Sequence, residues 1–104
     1  MSFADNLAQM PSVDHLSAIL IKNAAGEAID RIDNKPGKQG SLRLYVALQE
    51  EFGELNAAAA KKGIELFAEH VADAEANPGK HPNIDRLFAI ANSEASLGLE
   101  LVEV

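Results

Sequence analysis

Cysteine is absent from this chain of 104 residues. Its absence excludes disulfides, thiol catalysis and thiolate metal ligands. Basic residues are scarce. Nine Lys and Arg stand against sixteen Asp and Glu, for a formal net charge of -7. An extended nucleic-acid interface is therefore not expected, because phosphate contacts need a basic surface. Long apolar runs are missing too. The longest strongly apolar stretch, Leu16 to Ile21, falls far short of the roughly 20 residues that cross a bilayer. No membrane partner is expected. The opening Met1-Ser2-Phe3-Ala4-Asp5-Asn6 has neither a cationic nor a long apolar segment. A secretory signal is not expected, and a cytoplasmic setting is the plain reading.

What is present suits one soluble domain spanning residues 1–104. Apolar residues make up 47% and charged residues 24%, an ordinary balance for a packed core and a solvated surface. A chain of this size hides roughly 60–70% of its surface on folding and needs no disulfide or metal for stability. No low-complexity segment or linker divides it.

Ser2 and Asp5 suit the cap and first turn of a short helix, which Pro11 would stop. Residues 15–22 read as a strand with apolar side chains on both faces, hence a central one. Asn23-Ala24-Ala25-Gly26 reads as a hairpin loop with Gly26 at positive φ. Residues 27–33 read as a more polar edge strand. Ile29 and Ile32 break its alternation, which suggests a bulge near Asp30. Residues 34–40 form a loop. Helices are predicted at about 41–52, capped by Ser41, at 57–77, capped by Asn56, and at 83–92, capped by Asn83. Ala60, Ile64, Phe67, Val71 and Ala74 form one stripe along the longest helix. Residues 97–104 alternate as a strand. The predicted fold is α+β: a three-stranded sheet (15–22, 27–33, 97–104), antiparallel or mixed, with helices on one face.

One faint echo runs through the chain. Pro36-Gly37-Lys38 and Pro78-Gly79-Lys80 each precede a predicted helix. Chance use of common turn residues suffices to explain it.

The opening residues 1–7, the stretch Asn34-Lys35-Pro36-Gly37-Lys38-Gln39-Gly40-Ser41, and Pro78-Gly79-Lys80-His81-Pro82-Asn83-Ile84-Asp85 resemble a family of short bacterial proteins of unknown function. The resemblance covers nearly the whole chain and implies a stand-alone domain. It implies no reaction, cofactor or catalytic residue.

Three places could carry chemistry. The first is the loop 35–43. Lys35, Lys38 and Arg43 concentrate positive charge there, and Gly40 and Ser41 lead into a helix whose N-terminal N–H groups and dipole favour an anion. Lys80 and His81 are candidates to join it. A phosphate-binding loop of the G-x-x-x-x-G-K-[ST] type is not matched, because Ser41 follows Gly40 directly. ATP hydrolysis is thus disfavoured, and a plain solvated loop is the competing reading.

The second is a weak metal alternative: His70, Asp73, His81 and Asp85. On a continuous helix His70 sits roughly 80° from the centre of the apolar stripe and Asp73 farther out. His70 therefore reads as a boundary residue, and no bound metal is expected. Glu65, Glu69 and Asp73 share the opposite face and read as solvated carboxylates. Ser12, Ser17, Ser41, Ser93 and Ser96 lack a G-x-S-x-G setting.

The third is the strand 97–104, either internal to the sheet or an edge that pairs a homodimer or a protein partner. The expected class is a binding or interaction module for a small anionic ligand, with no cofactor and no catalytic residue. A small metal-dependent enzyme using His70 and His81 is the alternative.

Overall fold

The computed structural model describes residues 2–10, 12–93 and 96–104. Its elements run α1 (Phe3–Leu7), β1 (Leu16–Lys22), β2 (Ala28–Asp33), α2 (Gln39–Phe52), α3 (Ala57–Phe67), α4 (His70–Ala76), α5 (Pro82–Ala91) and β3 (Gly98–Glu103). The strands form one antiparallel sheet in the order β2-β1-β3, so the fold is α+β. β1 is central, as its two apolar faces predict. Ile21 lies opposite Asp30 and Lys22 opposite Ala28, which leaves Ile29 as the bulged residue beside Asp30. Gly26 closes the hairpin at φ +84.

Ile19, Ile21 and Ile32 are buried in a core shared with Leu42, Leu44, Tyr45 and Leu48 of α2. Leu20 is only half-buried, and its cross-strand partners Arg31 and Glu100 are exposed. The helical layer therefore covers one face of the sheet. β3 is an edge strand, which corrects the internal placement weighed from the sequence. β1 is saturated by β2 and β3, so only one side of β3 is paired. Glu100 and Glu103 lie on it, while Leu101 and Val104 are exposed.

Tyr45 ties the layers together. Its hydroxyl donates to the Asn83 carbonyl at 2.5 Å and accepts from Arg86 Nη1 at 3.0 Å. Arg86 also pairs with Asp30 on β2. Burial pushes the Tyr45 phenol up to about 12, against the opposing pull of Arg86.

The structure departs from the sequence reading at three helix boundaries. The 57–77 helix is two helices, broken at Ala68, which stands at φ 51, ψ -117. No glycine or proline marks the break. Tertiary contacts make it: Asn6 Nδ2 donates to the Leu66 carbonyl at 3.0 Å, and Phe3 stacks on Phe67 with centroids 5.3 Å apart. Asn6 thereby satisfies one of the carbonyls that a helix C-terminus leaves unpaired. Ser41 is not a cap. α2 starts at Gln39 behind Lys38, with no side-chain cap. The tight turn at 35–38 starts the helix early, and Leu42 N–H already bonds the Lys38 carbonyl. Asn83 is not a cap either. α5 starts at Pro82 behind His81, because the fixed φ of proline suits a first helical position. The Asn56 and Ser2 caps form as expected, whereas the predicted stop at Pro11 lies outside the described residues.

Of the predicted stripe, Ala60, Phe67 and Ala74 are buried, while Ile64 and Val71 are half-buried. α3 packs mainly on α5 and α2, and α2 lies against the sheet. Gly63 permits this approach. A Cβ there would meet Leu87 Cδ1 at 2.8 Å and Leu48 Cδ1 at 2.9 Å.

Candidate functional site: a cleft between two Pro-Gly-Lys turns

The sequence echo is one turn used twice. Lys38 N–H bonds the Lys35 carbonyl at 2.9 Å, and Lys80 N–H bonds the Asn77 carbonyl at 3.0 Å. Gly37 stands at φ +87 and Gly79 at φ +92. Proline second and a positive-φ glycine third is the chemistry of a type II turn. Each turn runs directly into a helix, and neither α2 nor α5 has a side-chain cap at its start.

Both turns open on the same cleft, of about 630 Å³. Gly37, Lys38, Gly40, Ser41 and Arg43 border one side of it, and Lys80, His81, Pro82, Asn83 and Ile84 another. Phe3, Leu7, Phe67 and His70 complete the wall. Gly40 lets α1 close over the start of α2, since a Cβ there would meet the Phe3 ring at 3.0 Å.

The break at Ala68 delivers His70 to this wall. Its ring stands edge-on to Phe3, with centroids 5.0 Å apart, and 6.0 Å from the His81 ring. His81 Nε2 donates to Asp73 Oδ2 at 2.6 Å, and Lys80 Nζ reaches the same oxygen at 3.0 Å. The His81 and Lys80 hydrogen bonds pull the Asp73 carboxyl down to about 2. Glu69 accepts the Phe3 N–H at 2.7 Å, which holds its carboxyl below the usual range. The Glu69 and Asp73 side chains are solvent-exposed, as their face predicts, and in addition hold residues of the cleft wall from behind.

A family model for uncharacterized proteins conserved in bacteria, DUF2322, matches residues 3–101. The chain belongs to this family. The resemblance noted in the sequence is thereby confirmed. Neither the curated proteins nor the solved structures compared with the chain include a match.

The family match takes in both turns and every residue of the cleft wall. Of the anion-site candidates, Lys38, Gly40, Ser41, Arg43, Lys80 and His81 border the cleft, and Lys35 lies outside its lining. Arg43 is engaged structurally, with Nη2 donating to the Leu7 and Met10 carbonyls at 2.8 and 2.9 Å. It fastens α1 to α2. Lys38 is exposed and makes no ion pair among the described residues.

Of the metal alternative, His70, Asp73 and His81 come together, but Asp85 turns away to accept the Gly79 N–H at 2.9 Å. Among the described residues no three His, Asp or Glu side chains are grouped as a metal site requires. The donor set does not fit a metal: Asp73 already holds His81 and Lys80. Sequence reasoning missed Phe3, Leu7, Phe67 and Ile84 as part of the site. Phe67 and Ile84 read as ordinary core positions, and no periodicity signals that a five-residue N-terminal helix lies against a later one.

No described helix is long and apolar enough to cross a membrane.

Proposed function

We propose that this protein is a binding module for a small anionic ligand, held in the cleft between the two Pro-Gly-Lys turns, in a cytoplasmic setting. One observation carries the reading. The chain has sixteen Asp and Glu, yet among the described residues none borders the cleft, whereas Lys38, Arg43, Lys80, His70 and His81 do. A site lined this way in an acidic protein concentrates positive potential where a ligand can reach it. The uncapped start of α2 adds backbone N–H groups beside Lys38. By contrast, α5 opens on Pro82, which has no N–H, and its Ile84 and Asp85 N–H groups bond the His81 carbonyl. Lys80 contributes less than Lys38, because Asp73 offsets its charge.

Each charge interaction at such an exposed helix start is worth about 0.3–1 kcal/mol. A few together support binding near millimolar, about 4 kcal/mol. Affinity should fall as salt rises, since exposed charges are screened within about 8 Å at physiological ionic strength. The test is an amide chemical-shift titration with inorganic phosphate and with acetate. Shifts should cluster at 37–43 and 79–84, and Lys38→Glu should abolish them. Absence of shifts there at about 10 mM ligand, ten times the dissociation constant this reasoning gives, would overturn the reading.

A further inference from the structure

We propose that the ligand of this cleft is an aryl oxyanion, a flat apolar ring carrying a carboxylate or phosphate group directly. The proposal rests on the anion-binding reading above and adds the class of molecule. Size is its first support. A cleft of about 630 Å³ holds the liquid volume of about 20 water molecules, at roughly 30 Å³ each. A bare phosphate or acetate fills a small part of that. Cavities of roughly 300–1,000 Å³ are those that take organic ligands.

Part of the cleft lining is apolar and aromatic. Phe3 and Phe67 are stacked, with centroids 5.3 Å apart and planes 17° from parallel. The His70 ring meets Phe3 edge-on. A flat ring can join such a cluster by offset stacking or edge contact, geometries in which aromatic pairs gain beyond area burial. Distance supplies the third support. The Phe3 ring presses on Gly40, in the first turn of α2, so closely that a Cβ there would stand 3.0 Å from it. The aromatic wall and the anion-binding helix start therefore adjoin. A ligand that bridges them needs its charged group directly on its ring, not at the end of a chain.

Calorimetric titration of the intact protein with four probes tests this: inorganic phosphate, phenyl phosphate, benzoate and hexanoate. Phenyl phosphate should bind roughly 10–100-fold more tightly than inorganic phosphate, the gain from covering one face of a ring. Benzoate should exceed hexanoate by several-fold. Phe3→Ala should remove the aryl advantage while inorganic phosphate still shifts amides at 37–43. Phe3→Leu, which keeps an apolar wall and secures the docking of α1, should lose the preference for benzoate over hexanoate. Equal binding of phosphate and phenyl phosphate would overturn the aryl proposal and leave the anion reading standing. Hexanoate matching benzoate, or an aryl advantage that survives Phe3→Ala, would overturn it as well. Failure of all four probes would remove both.

Discussion

Replacing Ala68 by glycine should stabilise this protein, while the same replacement at Ala58 should destabilise it. Ala58 is an exposed position in the first turn of α3. Glycine there costs up to about 1 kcal/mol, the helix-interior value, because it frees the unfolded backbone and contributes nothing to the helix. Ala68 stands at φ 51, ψ -117, where its Cβ crowds the backbone. It is the only non-glycine residue at positive φ among the described residues. Sparsely populated conformations of this kind cost about 1–3 kcal/mol. Glycine removes that cost and returns about 0.4–1 kcal/mol to the unfolded state. The net gain is about 1 kcal/mol, so the two variants should differ by about 1–2 kcal/mol. For a domain of this size that separates their melting temperatures by about 4–16 °C. Urea unfolding of both variants beside the parent chain reads the sign directly. If Ala68→Gly loses as much as Ala58→Gly, the backbone passes through 68 in ordinary helical geometry. α3 and α4 would then be one helix, and the delivery of His70 and Asp73 to the cleft would fall with the break.

Two further outcomes follow from the core. Tyr45 is the only tyrosine, so ultraviolet titration of phenolate reports it alone. Its folded-state value of about 12 lies above the usual 10, so the stabilisation is complete below pH 10 and is lost as pH rises from 10 toward 12. The loss totals about 3 kcal/mol. Reversible ionisation near pH 10 with the fold intact would refute the buried placement. Phe67→Ala should cost about 3–5 kcal/mol in denaturant unfolding, since the ring is buried between α1 and the helical core. A loss below about 1 kcal/mol would mean that α1 and α3 are not packed as described.

The sheet was legible because its signals are local. An apolar run with both faces covered at residues 16–21, a glycine-closed turn at 23–26 and two isoleucines out of phase at 29 and 32 are decided within a few residues. The structure places a central strand, a hairpin and a bulge there. The helix starts at 39 and 82 were displaced by one or two residues because a serine or asparagine nearby is a weaker determinant than the turn that precedes it. The break at 68 was illegible for a different reason. Its cause lies some sixty residues away in sequence, in Asn6 and Phe3, and a stripe at helical spacing runs through it uninterrupted. Reading a continuous helix there gave the solvent exposure of the Asp73 side chain but not its partners, His81 and Lys80.

The repeated Pro-Gly-Lys shows how a feature too common to carry weight acquires it from the fold. Each copy alone is a turn and a charge, and turns of this kind need no functional explanation. In the folded chain each glycine takes the same positive φ, and each lysine stands at the mouth of a helix with no side-chain cap. The two helices, α2 and α5, are not adjacent in sequence; α3 and α4 intervene. The intervening pair is broken at Ala68. The pair brings Phe67 and His70 to that cleft on the way. Strain at one alanine, two turns of one type and an aromatic wall are thus parts of a single arrangement. The acidic surface elsewhere sharpens it, because in a chain of net charge -7 no carboxylate among the described residues lines this wall.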